Sequence, residues 1–168
     1  MGGASRSKGA RFERSVVNDL ARWLGSDWQV KRNPTDRQRG EMGDAGDVIV
    51  TGGPFVFPFS IECKHYRELG REWVIRPDKG PRKRFWLQTC EQARIVGKVP
   101  LLLLRQDRGT TCAVMPKAAA SQVVWRWSVE CRVRMEVYGA EQVVCIVPWS
   151  ELCKVEPIAL GELADAWG

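Results

Sequence analysis

Two β-rich runs, Val48 to Thr51 and Val56 to Lys64, flank Gly52, Gly53 and Pro54, and this segment constrains the fold of the chain more than any other. β-branched and aromatic residues suit a pleated strand, and a Gly-Gly-Pro break suits a turn, so the pattern predicts an antiparallel hairpin. Asp47 then stands at the mouth of its first strand. Side chains alternate along the second strand, which sends Glu62 and Lys64 to a shared surface and Ile61 and Cys63 into the core. If the strands pair around the turn, Asp47 comes close to Glu62.

Two carboxylates held close together repel each other, and the usual relief is a proton or a hard cation. Magnesium suits such a place because it takes one or two carboxylates and keeps several waters. An ion there would polarise a phosphoryl oxygen and lower the pKa of a bound water, while a neighbouring ammonium would orient that water or offset developing charge. This is equipment for phosphodiester hydrolysis. Glu-x-Lys on a strand is by itself equally the pattern of a surface ion pair. Glu13 extends the set: positions 13, 17, 20 and 24 form one helical stripe with Val17, Leu20 and Leu24, and an acid on the edge of an apolar face needs a partner. Arg11 or a backbone amide would also serve as that partner.

The rest of the chain supplies a mixed pattern. Residues 8 to 24 place Phe12, Val16, Leu20 and Trp23 or Leu24 at helical spacing before Gly25, and Asp27 to Arg32 reads as a short strand. A polar, glycine-bearing loop follows from Asn33 to Gly46, and 67 to 83 is a second polar connection. Arg84 to Val96 predicts a helix with Phe85, Gln88, Gln92 and Ile95 on one face. Strands are expected at Val99 to Arg105 and Thr110 to Met115, and a helix from Pro116 to about Trp127. Val129 to Val137 alternates apolar and charged residues and should pair with Gln142 to Val147; Pro148 opens a last helical segment. The order is that of a mixed α/β protein.

A chain of 168 residues with 44% hydrophobic content has the size of one domain, taken here as 1–168 with a core over 8–127 and a C-terminal hairpin and short helix over 128–168. Net charge is +6, with clustered arginines and lysines, which favours a polyanionic partner. A solvated basic face gives the same count. The six cysteines lie far apart with no C-x-x-C pair, so neither a zinc site nor a disulfide framework is expected, and they read as buried thiols in a reducing compartment. No secretory signal stands at the charged N-terminus, and Val99 to Leu104 is far too short to span a bilayer. The expectation is an intracellular, cytoplasmic protein, in the host cytoplasm if viral, with no membrane and no small-molecule cofactor.

The ordered set resembles the PD-(D/E)xK nuclease superfamily. Its elements are a helix bearing Glu13, Asp47 before a β run, Glu62-Cys63-Lys64, and a helix bearing Gln88. More narrowly, KGARFERSVVNDLARWL, Gln29-Val30-Lys31-Arg32, Gly46-Asp47-Val48 and Ile61-Glu62-Cys63-Lys64 are similar to archaeal-type Holliday-junction resolvases, over residues 8 to 105. Thr111 to Lys117 is weakly similar to the next strand and helix start of that family. The loop at 33–46 is longer than the resolvase pattern, and Cys63 replaces a common valine.

The resemblance implies a restriction-endonuclease-like core, a central mixed β-sheet flanked by helices, here with an extra C-terminal β-hairpin. It implies that Asp47, Glu62 and the Cys63 backbone carbonyl hold Mg²⁺, with Mn²⁺ as a substitute. Glu13 would complete the site directly or through a metal-bound water, and Lys64 would assist the attacking water. Gln88 would be the helix glutamine near the site, with Gln92 as the fallback and Asp44 competing with Asp47. Arg6, Lys8, Arg11, Arg32, Lys79, Arg82, Lys83 and Arg84 are the candidates for DNA phosphate contacts. The expected partner is DNA with a four-way junction, and paired cuts call for a homodimer. His65, the single histidine, flanks the site without acting as base. Another nuclease of the superfamily, or a non-catalytic DNA-binding protein of the same fold, are the alternatives.

Overall fold

The computed structural model describes residues 2–33, 45–66, 81–125, 134–138 and 142–167. Its first helix, α1 (Gly2–Leu24), buries Phe12, Val16, Leu20 and Leu24, the stripe expected from their spacing, and begins six residues earlier than the apolar pattern does. β1 (Trp28–Arg32) pairs antiparallel with β2 (Val48–Gly52), and β2 with β3 (Phe59–Tyr66). A helix, α2 (Pro81–Ile95), then crosses over so that β4 (Val99–Gln106) runs parallel to β3 along its whole length.

β5 (Cys112–Pro116) is antiparallel to β4, and Pro116 leads into α3 (Lys117–Ala120). That helix passes into a π-helical turn at Ser121–Trp125, where the expectation was one helix to about Trp127. The strand expected over Val129 to Val137 is described as β6 (Arg134–Tyr138), with 129–133 outside the described residues. β7 (Gln142–Pro148), α4 (Trp149–Leu152) and α5 (Ile158–Trp167) follow. The described strands form one mixed sheet in the order β1-β2-β3-β4-β5-β7-β6. The C-terminal hairpin continues this sheet, because β7 pairs with β5.

Both faces of the central strands are covered. One face carries Ile61, Cys63, Leu101, Leu103, Ala113, Met115, Cys145 and Val147 against α1, α3, α4 and α5; the other carries Leu102, Leu104, Val114, Val144 and Ile146 against Phe85 and Trp86 of α2. Removing one such leucine side chain would cost about 2–5 kcal/mol, since the sealed gap cannot refill.

This burial corrects two expectations. The surface shared by Glu62 and Lys64 lies beneath α2, so Glu62 is 1% exposed and does not form a solvated pair. On α2 itself, Ile95 is 66% exposed, and the inward face is Phe85, Trp86, Thr89, Gln92 and Ala93, because the helix presents the stripe nearest the leucines of β4. The expected hairpin is also shorter than its β-rich composition: the second strand starts at Phe59, and Val56 is 72% exposed in the connection. Of the described cysteines, Cys63 and Cys145 are buried while Cys90, Cys112 and Cys153 are half-buried; none of the five is in a disulfide.

Candidate active site

The site is built around three residues, 45 to 47, held from both sides. At the end of β1 the Asn33 N–H donates to the Asp47 carbonyl and its Nδ2 to the Gly46 carbonyl, both at 2.9 Å. From β3, Ser60 Oγ donates to the Ala45 carbonyl at 3.1 Å, and Ile61 accepts the Asp47 N–H at 2.7 Å. Such an approach requires glycine at 46: its φ is 102°, and a Cβ there would stand 2.4 Å from the Ile61 carbonyl oxygen. Backbone contact therefore sets where the Asp47 side chain begins.

Asp47 Oδ2 accepts the Cys63 N–H at 2.8 Å, which lays its carboxylate across β3 next to Glu62. Burial, then the charge of Glu62, pushes the Asp47 carboxyl up to about 7; the Cys63 N–H and Lys64 pull the other way, and Glu13 adds to the rise. Glu62 itself is clamped through a single oxygen. Its Oε1 accepts a charge-assisted bond from Lys64 Nζ and a second bond from Gln88 Nε2 at 3.1 Å. Its Oε2 is buried and has no partner among the described residues.

Lys64 also faces the Phe85 ring, with Nζ 5.7 Å from the centroid, and the Arg84 guanidinium lies 5.5 Å from that same centroid. Tyr66 lies against Phe85 with centroids 5.1 Å apart. Sequence reasoning missed this aromatic support of the lysine, although it places Phe85 on the same helix face as Gln88. The Cys63 thiol, on the opposite face, is pushed well above its usual pKa by burial first and then by Asp47, Glu62 and Glu13. It is inert as a nucleophile in this setting.

Glu13 takes Arg32 as its partner, in place of Arg11 or a backbone amide, and stands within electrostatic reach of Asp47. Of the fourteen sequence-derived site residues, Glu13, Asp47, Glu62, Cys63, Lys64, Gln88 and Arg32 thus converge. Gln92 makes no hydrogen bond to Glu62; it is buried, and its Oε1 has no partner among the described residues. Lys8 is paired with Asp107. Arg11 and Arg84 are exposed and Lys83 half-buried. Lys79 and the competing Asp44 lie outside the described residues, and the side chains of Arg6 and Arg82 outside the described ones.

Among the described residues no three His, Cys, Asp or Glu side chains form a ready metal cage. The donor set is instead two carboxylates with one buried oxygen to spare and a strand carbonyl. It fits a hard, oxygen-seeking cation that retains water and lacks the soft or imidazole ligands of a zinc centre. No described helix is long and apolar enough to cross a membrane.

A mixed sheet covered by helices, with Asp47 beside Glu62-x-Lys64, defines a nuclease of the PD-(D/E)xK class. The chain belongs to the family described as "Phage putative PDDEXK endonuclease", whose model matches residues 4–147. Among solved structures it is similar to a Holliday junction resolvase from the archaeal hyperthermophile Archaeoglobus fulgidus, at 18% identity and a TM-score of 0.39, covering 93% of this chain and 99% of that one. No curated protein matches it.

Proposed function

We propose that this protein is a Mg²⁺-dependent, structure-selective DNA endonuclease that cuts four-way junctions by paired nicks. One observation carries the hydrolytic reading: the buried Glu62 leaves Oε2 without a partner among the described residues while its other oxygen is held by Lys64 and Gln88, with Asp47 adjacent. Burying an unsatisfied carboxylate oxygen beside a second carboxylate is costly unless a cation completes the site. Asp47, Glu62 and the Cys63 carbonyl would hold that cation, with Mn²⁺ as a substitute. When bound it supplies Lewis acidity toward a phosphoryl oxygen and makes water more acidic.

The chain's own groups do the rest. Gln88 and Lys64 fix the Glu62 carboxylate, so its free oxygen keeps one direction. Lys64, steadied against Phe85, orients the attacking water and offsets charge that develops on phosphorus-bound oxygens. Glu13 and Arg32 border Asp47, where Glu13 adds negative charge and Arg32 a contact for the DNA backbone. Arg11, Lys83 and Arg84 add phosphate contacts that carry no sequence information.

Selectivity for junctions rests on the likeness of the Lys8-to-Arg14, Arg32, Asp47 and Glu62-x-Lys64 segments to resolvase motifs. Matched cuts across a two-fold junction would require a symmetric homodimer with two sites, acting in the cytoplasm of the cell or of a phage host. Synthetic four-way junctions, linear duplex and closed circular DNA, incubated side by side with and without Mg²⁺, test this. Symmetrical Mg²⁺-dependent nicks near the branch are expected. Equal cutting of all three DNAs would reassign the protein to a nuclease without junction preference, and DNA binding that is indifferent to Mg²⁺, without cleavage, to a non-catalytic member of the fold.

A further inference from the structure

One carboxylate outside the hydrolytic cluster ties together three elements of the fold. Asp107 directly follows β4, and its N–H donates to the Tyr66 carbonyl at 2.9 Å, extending the β3–β4 pairing past the strand end. Its Oδ2 is ion-paired with Lys8 of α1, and its Oδ1 accepts from His65 Nε2 of β3 at 2.9 Å. The other ring nitrogen, Nδ1, is buried and has no partner among the described residues, so Asp107 is the one hydrogen-bonding anchor of the imidazole among them. Lys8, more than His65, holds the Asp107 carboxyl below its usual range, which keeps the anchor charged.

The His65 ring in turn packs edge-on against Phe12 of α1, with centroids 5.6 Å apart, and the Arg105 guanidinium lies 5.8 Å from the Phe12 ring. Phe12 is the neighbour of Glu13, and His65 is the neighbour of Lys64. The knot therefore spans the gap between the two halves of the site. Its Lys8–Asp107 pair is about one-third exposed on each side, and a pair so placed adds little to stability. Its consequence is orientation.

We propose that Asp107 is a positioning residue: through Lys8 and His65 it latches α1 onto the ends of β3 and β4, and so holds Glu13 and Arg32 in register with Asp47 and Lys64. The proposal rests on the nuclease reading of that site. Loss of such a supporting contact should lower kcat, and the Mg²⁺ affinity of the DNA-free protein, by roughly 10- to 100-fold.

The experiment compares wild type with Asp107→Ala, Asp107→Asn and Lys8→Met, measuring kcat and KM on DNA and Mg²⁺ binding by calorimetry without DNA. Asp107→Ala should lower kcat with KM unchanged and weaken Mg²⁺ binding; Asp107→Asn, which still accepts from His65, should do less. Combining Lys8→Met with Asp107→Ala should be no worse than Asp107→Ala alone, since both remove one latch. Should Asp107→Ala fail to fold, Asp107→Asn and Lys8→Met carry the same test. Full kcat and full Mg²⁺ affinity in the folded variants would overturn the latch, and so would a raised KM at constant kcat, which would place Lys8 on substrate phosphate. A wild type that cuts no DNA yet loses Mg²⁺ affinity on Asp107→Ala would sink the nuclease reading while upholding the latch. One that neither cuts DNA nor binds the ion would overturn both.

Discussion

Gln88 Nε2 lies 3.1 Å from Glu62 Oε1, so a helix that follows β3 by a long connection reaches back to hold the strand's carboxylate. Because Lys64 occupies that same oxygen, the contact leaves Oε2 as the oxygen free to coordinate. Replacing Gln88 with alanine should cut turnover by roughly 10- to 100-fold, as expected for a residue that orients a ligand without touching substrate. Gln92→Leu, one turn along, should leave turnover unchanged and hold or raise the melting temperature, since it removes a buried carbonyl that has no partner among the described residues. Steady-state kinetics and thermal melts of both variants separate the two glutamines.

Lys64→Met should lower kcat by roughly 100-fold or more through loss of charge stabilisation at the reacting phosphate. Mg²⁺ binding without DNA should persist, because the two carboxylates remain. A variant with near-normal single-turnover cleavage would remove Lys64 from the chemistry.

Stability without metal should depend on pH through Asp47. Its carboxyl is raised from an ordinary 3.8 to about 7, so between those values the folded state keeps a proton that the unfolded state releases. Below pH 3.8 the group contributes nothing; as pH rises toward 7 the metal-free fold loses stability, and the full cost is reached above 7. In EDTA, wild type should therefore melt progressively lower than Asp47→Asn from pH 5 to 8. Added Mg²⁺ should narrow that difference at pH 8. Parallel pH profiles for the two proteins would contradict the assignment.

Gly46→Ala should abolish cleavage and destabilise the fold, because the added methyl meets the Ile61 carbonyl oxygen at 2.4 Å in a backbone conformation L residues avoid. A strained position of this kind costs about 1–3 kcal/mol before the clash is counted. Ala45→Gly, which adds no atoms, is the control; melts and junction cleavage compare the two.

Much of the core was legible in local pattern. The four-residue spacing of Phe12, Val16, Leu20 and Leu24 gave the buried stripe of α1, and the apolar run from Val99 gave β4, since periodicity reports which side of an element is hidden. The nearness of Asp47 to Glu62 also followed, because a hairpin is a short-range event. The inner face of α2 did not: Ile95 and Gln92 have similar claims by spacing, and the choice depended on which stripe meets the leucines of β4. The burial of Glu62 was hidden for the same reason, since alternation along a strand names two faces without saying that a distant helix covers the one Glu62 shares.

The order of residues along the chain thus determined the chemical kit of this protein: a carboxylate pair, a lysine two positions on, a glutamate on an amphipathic helix, and elements that local spacing could specify. Tertiary structure decided who meets whom across long gaps. Arg32 was chosen for Glu13, Gln88 for Glu62, and Asp107 for Lys8, which lies 99 positions away in the chain. Those choices have no local signature, because they arise when helices dock on opposite faces of one sheet and charged groups must find partners out of water.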